Sequence, residues 1–341
     1  MNSGAGKYDA ILVISFGGPE GPDDVIPFLE NVLRGRRVPR ERMLEVAEHY
    51  QQFGGISPIN QQCRDLIAAL QSELTEHGPP LPIYWGNRNW HPLLTDTLQK
   101  MSSDGIQNAL AFVTSAFSSY SGCRQYREDI AQAQHAAGDH APHVDKLRVF
   151  YNHPDFIDSM QDRLRAAMEK IPPERHDSTL LIFTGHSIPL SMAEGCAYRS
   201  QINEASRLVA EAFPNQPWRL AYQSRSGPPT QAWLEPDIGD ELLRVGDKTK
   251  SSDVVVVPIG FISDHMEVIF DLDTEAQAIC KRIGLNMVRA ETAGTHPSFI
   301  RMIRELILER TEGSEPKSLG ECGSGHNECP DDCCPIQLAT N

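Results

Sequence analysis

A ladder of acidic residues follows an apolar run in the last third of the chain. The run is VVVVPIGF, residues 254–261, and it leads to Asp264, Glu267, Asp271 and Glu275. Spacings of three, four and four residues place these side chains on one face of an α-helix. Carboxylates that desolvate one another have raised pKa values and can bind divalent cations or pass protons. A solvated acidic helix face is the alternative, because acids also suit a helix N-terminus.

A histidine stands where another apolar run ends. The segment TLLIFTGHSIPL, residues 179–190, predicts a buried strand that ends at His186. A neutral imidazole binds borderline metals and accepts protons near neutral pH. Because ligands bind beyond the carboxyl ends of parallel strands, we expect His186 and Glu267 to face one cleft. Such a pair could hold a divalent metal loosely and take protons from a substrate. A structural loop histidine is the alternative.

Half of the cysteines crowd into the end of the chain. Of the eight, Cys322, Cys329, Cys333 and Cys334 fall in the last twenty residues. In a reducing compartment this crowding indicates a metal or cluster site rather than a disulfide framework. Spacing alone does not separate iron from zinc, which would use the same thiolates and His326. A disordered acidic tail with free thiols is the third interpretation.

Composition excludes several classes of protein. The 341 residues are 40% apolar and carry a formal net charge of −15. This charge argues against a general nucleic-acid binder and suits a protein that handles cations. No run approaches 18 apolar residues, so no transmembrane helix is predicted. The first residues lack the basic start of a signal peptide, and we therefore expect a cytoplasmic protein.

Strand-length apolar runs alternate with amphipathic helical stretches along the chain. This pattern predicts an α/β fold of two similar doubly wound, Rossmann-like parallel sheets with four strands each. We expect an N-terminal α/β half at 8–150, a C-terminal half at 151–310 that carries His186 and the acidic helix, and an irregular cysteine-rich tail at 311–341. The predicted strands are 10–16, 82–87, 108–115, 146–152, 179–186, 218–224, 253–261 and 285–291.

Six segments together resemble the ferrochelatase family, over about residues 8–310. In chain order they are ILVISFGGPE, HYQQFGGISPIN, YWGNRNWHPL, TGHSIPL, YQSRSGPPTQAWLEPD and GFISDHMEVIFDLD. The resemblance implies a lyase of haem biosynthesis with two chelatase-type domains, which inserts its substrate Fe²⁺ into a porphyrin. It implies that His186 is the metal ligand or proton acceptor and that Glu267 faces it across the porphyrin plane. Asp271, with Glu275, would continue an acidic path, since insertion expels two protons.

The resemblance also implies porphyrin contacts in a cleft between the two halves. They are Phe16, Tyr50, Ser57, Arg88, Tyr126 and Trp233, with Arg34 and Arg124 as further donors to substrate carboxylates. Ordinary core packing is the alternative for the aromatic residues. Where many relatives have Tyr or Met, this chain has Phe16, which cannot coordinate iron.

Three segments favour one substrate. SFGGPEGPDD, FLENVLRGR and SAFSSYSGCRQYRED resemble actinobacterial-type enzymes, which are associated with coproporphyrin III. Protoporphyrin IX is the alternative, and a non-catalytic tetrapyrrole- or metal-binding protein on the same fold is a further one. The expected partners are the porphyrin and Fe²⁺, with transient contacts to other haem-pathway enzymes and none to nucleic acid.

Some ferrochelatases carry a [2Fe–2S] cluster on C-terminal cysteines and one internal cysteine. The resemblance therefore implies Cys322, Cys329, Cys333 and Cys334 as cluster ligands, with Cys123 as the internal ligand if one is needed. Cluster iron requires four thiolate ligands.

Overall fold

The computed structural model describes residues 7–35, 38–227, 230–248 and 252–335. Within them the chain forms two four-stranded parallel sheets, which confirms the predicted fold class. The strands are β1 Ala10–Ser15, β2 Ile83–Asn87, β3 Asn108–Val113, β4 His143–Lys146, β5 Leu180–His186, β6 Trp218–Gln223, β7 Asp253–Val257 and β8 Asn286–Arg289.

Helices connect the strands, as parallel pairing requires. In chain order they are α1 Val25–Val32, α2 Arg40–Gln52, α3 Ile59–His77, α4 Leu94–Ser103, α5 Gln125–Ala137, α6 Pro154–Met168, α7 Leu190–Glu194, α8 Tyr198–Ala210, α9 Ile238–Lys248, α10 Met266–Val268, α11 Gln277–Ile283 and α12 Pro297–Thr311. Short 3₁₀ turns span Pro22–Asp24 and Pro173–Ser178, and π-helical segments span Tyr120–Arg124 and Ile269–Ala276. None of the helices in the described ranges is long and apolar enough to cross a bilayer.

The strands of the two sheets are arranged in the same order when each set is numbered along the chain. The first is β2-β1-β3-β4 and the second is β6-β5-β7-β8. In each, the first strand of the half lies centrally and the next two strands flank it. The chain therefore winds outward in both directions from β1 and from β5. Loops diverge at that switch point, where doubly wound folds bind their ligands.

Continuous apolar sequence explains the central strands. Val254 to Val257 of β7 are fully buried, and so is the whole of β1. Each such side chain contributes about 1.5–3 kcal/mol of burial free energy. On the second sheet, Leu242 of α9 and Cys280 of α11 pack against Val254 and Val256. On the first sheet, α4 and α5 pack in the same way against β1 and β3.

The contacts divide the chain into two compact units. Unit 1 comprises 1–114, 125–147 and 303–315, and unit 2 comprises 115–124, 148–302 and 316–341, within the described residues. Each unit contains one of the two sheets. The boundaries 8–150, 151–310 and 311–341 remain predictions from the sequence.

The fourth predicted strand, 146–152, is displaced in the structure. The strand that pairs with β3 is His143–Lys146, and none of its residues is fully buried. The apolar residues Leu147 to Tyr151 are buried outside the sheet. The prediction followed apolar content, whereas an edge strand needs little of it. These residues follow the last paired residue of β4 and are buried by packing outside the sheet.

The C-terminal tail, described at 312–335, has neither helix nor strand, as predicted. It is nevertheless fixed to unit 2 by hydrogen bonds that side chains of this unit donate to carbonyl groups of the tail. The Asn152 amide donates to the carbonyls of Leu319 and Gly323 at 3.0 and 2.9 Å. The Arg124 guanidinium donates to the carbonyls of Asp331 and Cys333 at 2.7 and 3.1 Å. Its residues thus gain order from unit 2 rather than from secondary structure.

Candidate active site

Two neighbouring strands of unit 2 bring the predicted histidine and glutamate together. His186 is the last residue of β5, and Glu267 follows the loop after β7, which pairs with β5. The His186 Nε2 atom lies 3.5 Å from a Glu267 carboxylate oxygen. Both side chains are partly exposed, at 35% and 50%. The sequence-based pairing of these two residues therefore corresponds to a direct contact in the structure.

The expected arrangement of this pair was different. The family resemblance implied that Glu267 faces His186 across the porphyrin plane. Non-bonded atoms pack about 3.5–4.0 Å apart, so a flat ring between the two groups needs about twice the observed separation. The contact of 3.5 Å leaves no space for a flat ring between the two groups in this structure.

Local packing fixes the orientation of the histidine. The His186 Nδ1–H donates to the Ser187 carbonyl at 2.5 Å, so Nε2 is the atom presented to Glu267. The Tyr198 hydroxyl donates to the His186 carbonyl at 2.9 Å. Glycine is needed beside it, because a Cβ on Gly185 would lie 2.1 Å from the Ile202 Cδ1 atom. The strand end is thus held close to α8.

His186 and Glu267 shift each other's pKa in opposite directions. Burial disfavours the charged imidazole, but the hydrogen bond and charge of Glu267 outweigh burial and raise the pKa of His186. Burial also acts against the carboxylate, yet the hydrogen bond and charge of His186 hold the pKa of Glu267 at about 2. Each group therefore favours the charged form of the other, and the neutral imidazole is the form that accepts a proton or binds a metal.

A second histidine, which the sequence reasoning missed, touches the same glutamate. The His265 Nδ1 atom lies 3.9 Å from the Glu267 carboxylate and accepts the Glu267 backbone N–H at 3.1 Å. Burial, and then the positive charge of His186, lower the pKa of His265. His265 thus caps the N-terminus of α10. The only sequence signal was its place two residues before Glu267.

The acidic helix differs from the predicted regular α-helix. Its middle, Ile269–Ala276, is a π-helix, whose wider turns bring residues four and five apart over one another. Glu267, Asp271 and Glu275 are spaced by four and remain on one side. Their proximity is evident because the charges of Glu267 and Glu275 both act on Asp271.

Asp264 does not belong to this ladder. It precedes the helix, which begins at Met266, and accepts a hydrogen bond from the Arg289 guanidinium at 3.1 Å. The predicted stripe assumed that helical geometry starts at Asp264. The extended conformation of His265 instead turns Asp264 toward β8. The ladder is therefore three carboxylates long.

Asp271 has the most perturbed carboxyl group of the ladder. It accepts hydrogen bonds from the Ser224 hydroxyl and, at 3.4 Å, from the Gln223 amide. Burial, together with the charges of Glu267 and Glu275, raises the pKa of Asp271 to about 7, although the Ser224 hydrogen bond opposes the rise. A carboxyl group with this pKa binds and releases a proton reversibly at neutral pH. Sequence reasoning named Asp271 but missed Ser224.

Four of the predicted porphyrin contacts, Phe16, Tyr50, Arg88 and Tyr126, lie in one neighbourhood of unit 1. Phe16 is 36% exposed just after β1, and the Arg88 guanidinium lies 5.7 Å from its ring centroid. The same guanidinium lies 4.5 Å from the Tyr126 ring and pairs with Asp129. The Tyr50 ring contacts Phe28, which also contacts Phe16. These residues form an aromatic wall around a charge that is already paired.

The other predicted contacts have different environments, and only Ser57 and Trp233 are closely packed. Ser57 is 4% exposed, and its Cβ approaches Gly18 so closely that an added Cβ there would lie 2.7 Å away. Trp233, in unit 2, is 8% exposed and lies flat against Gly227. Arg34, in unit 1, donates to the Asn31 side chain at 2.5 Å. Arg124, expected to bind substrate carboxylates, instead donates to tail carbonyls.

The thiols of the tail converge on one part of unit 2. The Sγ atoms of Cys333 and Cys334 are 3.7 Å apart. Burial, then the Cys333 thiol and the charges of Cys123 and Cys196, raise the pKa of Cys334. Ligand atoms of Cys329, Cys333 and His326 all lie within 4.8 Å of one another. Cys322 lies beside Tyr151, where it adds to the effect of burial in raising the pKa of Tyr151 to about 12.

Comparisons with known proteins agree with this geometry. Residues 8–311 match the ferrochelatase family. A ferrochelatase from Rhodopirellula baltica is 56% identical over 96% of this chain and 93% of its own. A coproporphyrin III ferrochelatase from Streptomyces coelicolor is 49% identical over 98% of this chain and 95% of its own.

A solved structure shares the fold. SirB from Bacillus subtilis with Fe³⁺ has a TM-score of 0.54 at 12% identity and covers 89% of this chain and 97% of its own. At that identity the likeness concerns the architecture of the two sheets. The family match by sequence runs from the first strand to the last helix. This chain belongs to the ferrochelatase family.

Proposed function

We propose that this chain inserts Fe²⁺ into coproporphyrin III and releases two protons, giving Fe-coproporphyrin III in haem biosynthesis. The contact of His186 Nε2 with Glu267 carries the proposal, because metal insertion needs a base and an anionic group at one place. The names of the Streptomyces and Nocardia relatives support coproporphyrin III as the substrate. A protein that only binds tetrapyrroles does not need a proton acceptor such as Asp271, with its raised pKa, near His186.

The three groups of the site divide the work. Glu267, with its low pKa, stays ionised, so it attracts Fe²⁺ and stabilises positive charge on His186. In its neutral form His186 accepts each pyrrole proton at Nε2, because Nδ1 already donates to the Ser187 carbonyl, and Glu267 stabilises the imidazolium that forms. Asp271, with a pKa of about 7, takes the proton onward. Glu275 continues the same side of the helix toward its end.

The aromatic wall of unit 1 would bind the flat face of the porphyrin. Phe16 offers an exposed apolar ring but no metal ligand, so iron gains no axial bond from it. Arg88 is already paired with Asp129, which indicates that it orients Tyr126 and Phe16 rather than neutralising a substrate carboxylate. Tyr50 and Ser57 in unit 1 and Trp233 in unit 2 remain predicted contacts.

We further propose that the tail holds a metal centre. The predicted [2Fe–2S] cluster is supported by the assembly of Cys333, Cys334 and Cys123, with Cys329 nearby. The ligands that the resemblance implies, Cys322, Cys329, Cys333 and Cys334 with Cys123 as internal ligand, would hold its iron, and the cluster would supply one-electron chemistry when bound. No step of iron insertion passes through it. The cytoplasmic location and the contacts with other haem-pathway enzymes stay predictions.

The experiment that tests the reaction is anaerobic Fe²⁺ insertion with two porphyrins. Coproporphyrin III and protoporphyrin IX should be compared at equal concentrations, with metalation followed in the visible spectrum. A much higher kcat/KM for coproporphyrin III supports the proposal. Preference for protoporphyrin IX would retain the chelatase and change the substrate. Absence of turnover with both, despite porphyrin binding, would favour a binding protein.

A further inference from the structure

A histidine of the tail stands among the thiols. The Nε2 atom of His326 lies 3.7 Å from the Cys333 Sγ atom. Ligand atoms of His326, Cys329 and Cys333 all lie within 4.8 Å of one another. The Cys334 Sγ atom lies 3.7 Å from that of Cys333 but does not belong to this group of mutually close donors. No step proposed for iron insertion uses these residues.

These separations match donors around one metal atom. Thiolates bind zinc at about 2.3 Å and imidazole nitrogens at about 2.0–2.1 Å, in tetrahedral geometry. Two thiolates on one tetrahedral ion are then about 3.8 Å apart, and a thiolate and an imidazole about 3.6 Å. Both of the 3.7 Å contacts of Cys333 have this length. An iron atom of a cluster has a similar tetrahedral shell, so the match concerns ligands rather than metal identity.

Unit 2 fixes the segment that carries these donors. Arg124 binds the carbonyls of Asp331 and Cys333 on one side of the group. On the other side, Gly325 packs so closely that an added Cβ would lie 2.8 Å from the Val149 Cγ2 atom. His326 therefore follows directly after an anchored residue. Its approach to the thiols is built into the docking of the tail.

Cys322 has a different environment. Its thiol lies beside the Tyr151 side chain, and burial followed by Cys322 raises the pKa of Tyr151 to about 12. The tail on both sides of Cys322 is held by Asn152, whose side-chain amide donates to the Leu319 and Gly323 carbonyls. This anchoring keeps Cys322 with Tyr151. His326 is thus an alternative to Cys322 in the all-cysteine ligand set that the family resemblance implies.

We propose that His326 is a ligand of the tail metal centre, with Cys329, Cys333 and Cys334, and that Cys322 is not. This inference rests on the metal centre proposed above and changes its ligand set. Three thiolates and one imidazole are a donor set that both Zn²⁺ and cluster iron accept. The imidazole nitrogen is neutral, so the centre carries one negative charge fewer than an all-thiolate one.

The test compares His326→Ala with Cys322→Ser in the full chain. Both residues are exposed in the tail, so neither change disturbs a core. Each protein is purified anaerobically and reconstituted with Fe²⁺ and sulfide or with Zn²⁺ alone. Bound iron, zinc and acid-labile sulfide are measured, and visible spectra are recorded. His326→Ala should lower metal affinity about tenfold or more, and Cys322→Ser should leave affinity and spectrum unchanged.

A third variant tests the identity of the ligand. His326→Cys should restore metal binding with an altered visible spectrum, because thiolate replaces imidazole. Iron together with sulfide in the wild-type protein would identify a cluster, and zinc alone would identify a single ion. Either result supports the proposal if binding of that metal is weakened in His326→Ala. An unchanged centre in His326→Ala, with loss in Cys322→Ser, would overturn it. Wild type without any metal would overturn the centre itself, and coproporphyrin turnover of the same sample tests the reaction separately.

Discussion

The Ser224 hydroxyl donates a hydrogen bond to the Asp271 carboxylate, one turn along the acidic helix from Glu267. Ser224 follows β6 and has a left-handed backbone conformation with φ of 61°, which is uncommon for a residue other than glycine. This hydrogen bond favours the ionised carboxylate against the burial and neighbouring charges that raise its pKa to about 7. The pair therefore sets the pH at which Asp271 becomes a proton acceptor.

Removal of this hydroxyl should shift the pH profile of iron insertion. In Ser224→Ala the Asp271 pKa rises further, because a stabilising hydrogen bond to the ionised form is lost. Activity that needs ionised Asp271 increases with pH through its pKa, so the acid limb should move to higher pH. The profile of kcat/KM for Fe²⁺ insertion measures the shift. An acid limb at the same or lower pH would show that Asp271 does not govern it.

Truncation of the histidine should separate binding from turnover. We expect His186→Ala to reduce the insertion rate by about 10²–10⁴, the usual contribution of a positioned base. Porphyrin affinity, measured by fluorescence quenching, should change little. His135→Ala on the exposed face of α5 is the control and should behave as wild type. Turnover near the wild-type rate in His186→Ala would remove the histidine from the mechanism.

Neutralisation of the glutamate should act through the histidine. Glu267 is what raises the pKa of His186 against burial, so Glu267→Gln should lower that pKa. Insertion should slow by about tenfold to a hundredfold, because Fe²⁺ loses an anionic partner. Nuclear magnetic resonance titration of the His186 ring measures the pKa, and a stopped-flow assay measures the rate. An unshifted His186 titration would mean that the pair is not in contact in solution.

A single added methyl group at Gly185 should destabilise unit 2. A Cβ there would lie 2.1 Å from the Ile202 Cδ1 atom and 2.8 Å from the Tyr198 hydroxyl, and Ile202 is fully buried. Overpacking of this kind costs about 1–3 kcal/mol. The urea midpoint of Gly185→Ala should fall accordingly. Gly21→Ala is the matched control, since nothing lies within 4 Å of its added Cβ. Equal midpoints for both variants would contradict the close packing.

Acid unfolding should depend on His153. Burial, and then the charge of Arg148, lower its pKa from 6.5 to about 3, and its Nδ1 atom accepts the Asp155 N–H. Between these values the unfolded chain binds a proton that the folded chain does not, so stability falls as pH decreases, by roughly 3–5 kcal/mol in total.

His153→Asn tests this linkage. Asparagine preserves the N-cap hydrogen bond but cannot titrate, so the loss of stability between pH 6.5 and 4 should become smaller. His140→Asn, at an exposed turn, should leave the slope unchanged. Urea midpoints measured across this pH range give the slope for each protein. A variant slope equal to that of wild type would exclude His153 as its source.

The sequence by itself determined the two parallel sheets and the pairing of His186 with Glu267. Both depend on local patterns: continuous apolar runs make central strands, and parallel strands bring their carboxyl ends to one edge. The same reasoning misplaced β4, because an edge strand buries little and carries a weak pattern. It also extended the acidic ladder to Asp264, because spacing does not reveal that His265 begins the helix.

Only the tertiary structure decided which groups control one another. The pKa of Asp271 depends on Ser224, which is 47 residues away in the chain. Glu267 contacts His186 directly because β5 and β7 are neighbours, although 81 residues separate the two. In the tail, the resemblance implied an all-cysteine cluster and the spacing left open a zinc site with His326, whereas docking on unit 2 placed His326 at Cys333 and Cys322 at Tyr151. Long-range contacts of this kind follow from packing, which residue types and spacing do not encode locally.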